Sequence, residues 1–106
     1  MSQKKHNAPV FAALGDRTRL ALVLKLSHGQ PRSISQLTSG SRMTRQAVTK
    51  HLRVLESAGI VRNVRHGRES LFEFNREPID AARDYLDNVS RQWDGAIARL
   101  KAFVEE

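Results

Sequence analysis

Val48, Leu52 and Leu55 recur at i, i+4 and i+7, the spacing of a single apolar stripe along a helix. Thr44 stands just ahead of them, where its hydroxyl can accept from an unpaired first-turn N–H, so the pattern predicts a helix over 44–58. Earlier in the chain, Val10, Phe11 and Leu14 give one apolar side to a helix starting near Asn7. Pro9 then falls in its first turn, where a missing N–H costs nothing. Asp16 is placed to cap a second helix of about Arg17–Ser27. Its Leu20, Leu22, Leu24 and Leu26, with Ala21 and Val23, make it apolar on nearly every side, as befits the middle of a fold. Ser33 and Gln36 fit a capping box that opens a short third helix, closed by the turn Ser39-Gly40-Ser41.

After Gly59 the period drops from 3.6 to about 2. Residues 60–64 and 70–74 are expected as two strands, joined by Arg65-His66-Gly67-Arg68, with Gly67 supplying the positive φ of a tight hairpin. From Pro78 onward one long helix is predicted. Ile79, Leu86, Trp93 and Leu100 recur every seven residues, as do Ala82, Val89, Ala96 and Phe103. Such a register asks for a second helix packed along it, and a partner chain is favoured over packing wholly within the chain. The expected interface is Phe11, Leu86, Val89, Trp93, Ile97 and Leu100.

These elements assemble into a fold that is mainly α with a small β-hairpin wing. About five helices and a two-stranded antiparallel hairpin make a winged helix-turn-helix, in which the short third helix, the turn at Gly40 and the helix 44–58 form the helix-turn-helix and 60–75 the wing. A chain of 106 residues is expected to be one domain, 1–106, with 1–27 and 77–106 contributing dimerisation helices.

Charge adds direction to this outline. The net charge is +7, but residues 1–76 hold 14 Lys/Arg against 4 Asp/Glu, while residues 77–106 hold 4 against 7. A basic body with a mildly acidic tail suits a polyanion binder whose last segment has another task. Arg45, Gln46, Thr49, Lys50 and Arg53 fall on the side of the predicted helix away from its apolar stripe, with no acid until Glu56. Guanidinium and amide forks at the exposed start of a helix are what reading base edges in the major groove requires. The expected contacts with double-stranded DNA are Arg42, Thr44, Arg45, Gln46, Thr49, Lys50, His51 and Arg53, joined at the wing by Arg65, His66, Gly67 and Arg68. Met1–His6 is polar and expected to fray, its Lys4 and Lys5 free to follow a phosphate backbone.

The same composition narrows the alternatives. There is no Cys, hence no disulfide, thiolate metal site or thiol nucleophile. No P-loop, Gly-rich dinucleotide motif or convincing acid pair marks an enzyme, and no catalytic residue or cofactor is expected. His6, His28, His51 and His66 are scattered without ligand spacing, so no metal site is expected either. No apolar run reaches the ~18 residues of a membrane helix and the start lacks a signal-peptide core, so a cytoplasmic location without membrane contact is expected. A winged helix whose C-terminal helix docks another protein is the alternative reading, but the basic helix face lacks the aromatics such a surface favours. An RNA binder would offer exposed stacking aromatics, and one Tyr and one Trp do not supply them.

The chain resembles the ArsR-type winged helix-turn-helix repressors over nearly its full length. The resemblance is carried by Leu14-Gly15-Asp16-Arg17-Thr18-Arg19-Leu20, by the run from Val48 to Val61 reading VTKHLRVLESAGIV, and by Gly67-Arg68 followed by Leu71-Phe72. It implies a homodimer built from the first and last helices that represses by occupying a palindromic operator until a signal lowers its affinity. Arg17 stands where the family often has Pro. Metal-sensing relatives use a Cys-x-Cys in the helix before the recognition helix, or Asp, His and a final acid between the last helices. Here Ser33–Ser39 has no thiol and Ile79–Glu106 no His, so the chain resembles the non-metal branch.

Overall fold

The computed structural model describes residues 4–105, with side chains from Asn7 onward. Five helices and a three-stranded antiparallel sheet follow in the order α1 (Lys4–Leu14), α2 (Arg17–Ser27), β1 (Arg32–Ser33), α3 (Ile34–Thr38), α4 (Arg45–Ser57), β2 (Val61–His66), β3 (Glu69–Phe74) and α5 (Arg76–Glu105). α1 begins before Asn7, so Pro9 lies in its second turn rather than its first. Met1–Gln3 and the side chains of Lys4 and Lys5, expected to fray along a phosphate backbone, lie outside the described residues.

α2, α3 and α4 each start where a side chain satisfies their first N–H groups. Asp16 accepts from the Arg19 N–H at 3.0 Å, and Thr44 from the Ala47 N–H at 3.0 Å. Ser33 and Gln36 close the expected capping box, at 3.1 Å from the Gln36 N–H to the Ser33 hydroxyl and 2.8 Å in return. Gly59 ends α4 with φ +79°. Its N–H donates to the Glu56 carbonyl and that of Ile60 to the Leu55 carbonyl, both at 2.9 Å, a Schellman ending whose apolar contact is the fully buried pair Leu55 and Ile60. That turn feeds the chain directly into the wing.

The core sits where all five helices and the hairpin meet. Val10 and Ala13 of α1, Leu22 and Leu26 of α2, Leu37 of α3, the Val48–Leu52–Leu55 stripe of α4, Phe72 of β3 and Ala82 of α5 are all buried in it. α2 departs from expectation. Only Leu22 and Leu26 are buried, while Leu20 and Leu24 are 52% and 60% exposed. The stripe at 22 and 26 faces the core, and at 100° per residue Leu20 and Leu24 project to the other side. α2 therefore packs from one side only and does not occupy the centre.

The wing differs in one strand. β2 and β3 pair in the register Val61↔Phe74 to His66↔Glu69, leaving Gly67-Arg68 as a two-residue turn. Gly67 has φ +63°, and no non-glycine residue among those described has positive φ, the sign pattern of a type II′ hairpin. The expected two-stranded hairpin gains a third strand, because Arg32 and Ser33 pair with Phe72 and Leu71 and give the order β1-β3-β2. Asn75 closes the base of the wing: its N–H donates to the Ile60 carbonyl at 2.8 Å and its Nδ2 to the Gly59 carbonyl at 3.0 Å.

α5 has 30 residues, about 45 Å at 1.5 Å per residue. Ile79 and Ala82 pack into the core, after which the same stripe runs on exposed through Leu86, Val89, Trp93, Ile97 and Leu100. No helix among the described residues is long and apolar enough to cross a membrane.

Candidate nucleic-acid interface

α3 and α4 form the helix-turn-helix. Between them Gly40 takes φ +76°, and the Ser41 hydroxyl accepts from the Met43 N–H at 3.0 Å. Arg45 at the start of α4 donates from Nη1 to the Ser35 hydroxyl at 2.9 Å, tying the two helices together across the turn. With Val48, Leu52 and Leu55 held in the core, the opposite side of α4 must face outward. There Arg45, Gln46, Thr49, Lys50 and Arg53 line one open surface depression. All but Thr49 are exposed, and Thr49, half-buried, donates its hydroxyl to the Arg45 carbonyl at 2.8 Å. The five expected on one face by helical spacing are brought together, with no carboxylate among them.

Arg42 is exposed in the turn just before α4, and the hydroxyl of Thr44 is engaged as the α4 cap. Arg65, His66, Gly67 and Arg68 are exposed at the wing tip, on a separate element. The Arg62 Nε donates to Glu73 at 3.1 Å and the Ser70 hydroxyl to Asn63 Oδ1 at 2.8 Å, bracing the two strands. Among the described residues neither Arg65 nor Arg68 forms an ion pair. Glu69, directly opposite His66, places one acid beside this basic tip.

His51 is the exception. It lies on α4 but on the side turned toward α1 and α2, its Nδ1 3.2 Å from Arg19 Nη1 and 3.8 Å from Asp16 Oδ2. With a side chain only 21% exposed, it stands apart from the depression on the outer face. The Arg19 backbone N–H donating to Asp16, helped by the nearby Arg19 guanidinium charge, holds that carboxyl below its ordinary range despite some desolvation. The Arg19 and Ser35 contacts carry no sequence signal. Both join residues far apart in the chain and exist only once the helices have packed.

The expected dimer residues divide in two. Phe11 is half-buried beside Tyr85, whereas Leu86, Val89, Trp93, Ile97 and Leu100 lie exposed in a row along α5.

Comparison with known proteins agrees with this geometry. A family model described as a helix-turn-helix domain matches residues 14–64. The chain is 40% identical over 76 residues to the uncharacterized HTH-type transcriptional regulator YuzN of Bacillus subtilis, covering 66% of this chain and 83% of that protein. An ArsR-like transcriptional regulator from Rhodococcus sp. RHA1 superposes with a TM-score of 0.85 at 31% identity, over 94% of this chain and 93% of that one. The homodimeric winged helix-turn-helix DNA-binding domain of a Mycobacterium bovis protein shares the fold, with a TM-score of 0.64 at 24% identity over 90% of this chain and 84% of that one.

Proposed function

Because the chain belongs to the ArsR-type winged helix-turn-helix family of transcriptional regulators, we propose that it acts as a homodimeric repressor bound to a palindromic operator. The observation that carries this reading is the open depression on the outer face of α4, lined by Arg45, Gln46, Thr49, Lys50 and Arg53. Two of its side chains are planar forks suited to paired hydrogen bonds with base edges, and Lys50 adds a point charge. In this reading Gln46 and Arg45 read bases in the major groove. Arg42, Lys50, Arg53 and the wing-tip Arg65, His66 and Arg68 hold phosphates, with Gly67 letting the tip approach. His51 takes no part in contacting DNA.

Homodimerisation is supported by the exposed α5 stripe and by the homodimeric Mycobacterium bovis domain with the same fold. Each protomer then offers one α4 to one half-site, and a two-fold protein favours a palindromic operator. Occupying promoter DNA is sufficient to exclude polymerase, so repression asks for no further surface.

The test is selection of bound duplexes from a random pool, followed by transcription in vitro from a promoter carrying the selected site. A two-part palindrome whose occupancy blocks transcription is expected. Enrichment of no motif would overturn the reading.

A further inference from the structure

Arg19 makes its contacts in two directions. Its Nε donates to the Ala13 carbonyl at 2.6 Å and its Nη2 reaches the Ala12 carbonyl at 3.5 Å. These carbonyls belong to the last turn of α1, where intrahelical partners run out. On its other edge, Nη1 lies 3.2 Å from His51 Nδ1, midway along α4. A guanidinium carries donors only, so Nδ1 is the acceptor and the imidazole keeps its proton on Nε2. Asp16 completes the cluster, capping α2 through the Arg19 N–H with Oδ2 3.8 Å from the same ring nitrogen. One side chain thus joins the end of α1 to the middle of the helix that presents the DNA-facing depression.

Packing alone would not fix that junction so closely. Val10 and Ala13 of α1 and Leu55 of α4 are buried in one shared apolar core. Apolar burial itself is non-directional, and ridges-into-grooves packing leaves helix crossing angles a scatter of about 15–20°. A planar fork anchored on carbonyls at one edge and on a ring nitrogen at the other defines an angle. His51 lies across α4 from Gln46, Thr49 and Arg53, so turning α4 about this contact swings the outer face.

We propose that Arg19, acting through His51, is a positioning residue that sets the angle between α1, which packs on the dimer-forming helix α5 through Phe11 and Tyr85, and the reading helix α4, and thereby the half-site spacing the protein accepts. The inference rests on the reading of a DNA-binding homodimer. In that reading the half-sites sit about 34–36 Å apart, or a multiple of it. Inserting one base pair moves them by about 3.4 Å. A rigid α1–α4 angle rejects that change, and a loosened one accepts it.

The test compares duplexes selected from a random pool by the unmutated protein and by Arg19→Met, His51→Leu and His51→Gln, with melting curves and sedimentation run alongside. The unmutated protein is expected to enrich one dominant spacing. Arg19→Met and His51→Leu should keep the same half-site bases but spread over neighbouring spacings, losing about tenfold in affinity for the parent-spaced duplex. His51→Gln, whose amide oxygen can accept from Arg19, should restore the narrow spacing. Should Arg19→Met not fold, Arg19→Lys, which keeps the charge and loses the fork, takes its place. Folded, dimeric Arg19 and His51→Leu variants with spacing as narrow as the parent, or with altered half-site bases, overturn the proposal. Loss of folding in every variant reduces the cluster to a stability element and overturns it too. Failure of the underlying function shows separately, in the unmutated protein, as no motif or as unpaired half-sites, and takes the inference down with it.

Discussion

The Phe11 and Tyr85 rings meet with centroids 6.0 Å apart and planes tilted at 54°, and they mark the place where α5 leaves the body of its own chain. Before Tyr85, Ile79 and Ala82 pack into the core; after it the same stripe is exposed, Trp93 by 67% and Phe103 by 77%. Large apolar side chains in a continuous row are a surface that a second helix covers. At ~1.5–3 kcal/mol per large apolar side chain, burying Leu86, Trp93 and Leu100 against a partner contributes several kcal/mol. Trp93→Asp is therefore expected to give folded monomers, because Trp93 contributes little to its own chain's core, and to weaken operator binding severely. Sedimentation at micromolar concentration checks this, and an unmutated protein that is monomeric there would contradict it.

Much of this arrangement was legible in the sequence because it depends on local spacing. The α4 stripe, the three helix caps at Asp16, Ser33 and Thr44, and the Gly67 turn all involve residues within a few positions of one another. What was not legible depends on tertiary contact. The two-residue β1 is too short to show a period and exists only because β3 offers it an edge. Six apolar residues within Leu20–Leu26 suggested a helix buried all round, but sequence could not say that α2 has neighbours on one side only. His51 follows the same rule. Its place on a basic helix suggested DNA; its spacing of i+3 from Val48 sets it at the core edge, and what spacing could not supply is its partner Arg19, 32 residues away.

Asp16 links stability to acid. Its carboxyl is held below its ordinary range chiefly by the Arg19 N–H, so the folded state binds its proton less readily than the unfolded chain. Its contribution is therefore complete above the unfolded value of about 3.9 and is lost as pH falls through the lower folded value. Asp16→Asn keeps a cap acceptor that cannot titrate. Melting temperatures between pH 5 and pH 2.5 should fall less steeply in that variant than in the parent. Equal acid sensitivity would show that Asp16 is not the group responsible.

Metal ions are expected to leave operator affinity unchanged. With no Cys, a sensing site would have to draw on His and carboxylates. His51 Nδ1 is occupied by Arg19, His28 caps the end of α2, and His66 sits at the wing tip. Among the described residues no three His, Asp or Glu side chains converge on one point. Fluorescence anisotropy on the selected operator, with micromolar zinc and then chelator, is the measurement. A reversible tenfold loss of affinity, about 1.4 kcal/mol of coupling, would refute the expectation.

Reading and holding should separate between Gln46 and Arg68. Gln46 lies in the first turn of α4, exposed, its amide carrying both donor and acceptor. An adenine edge presents the complementary pair, so its loss is felt at one base position per half-site. Gln46→Ala should cost ~1–3 kcal/mol per half-site and relax selection at that position, leaving other positions unchanged. Arg68 stands second in the wing turn, exposed and without an ion-pair partner among the described residues. A guanidinium at a hairpin tip meets phosphates whatever the sequence beneath them. Arg68→Ala should therefore weaken all duplexes about equally and, with one Arg68 lost from each protomer of the dimer, reduce the slope of log affinity against log salt by about 2. Anisotropy titrations on the preferred and single-substituted duplexes at four salt concentrations distinguish the two effects. If Arg68→Ala altered base preference while Gln46→Ala changed only the salt slope, the wing would be the reading element and α4 the anchor.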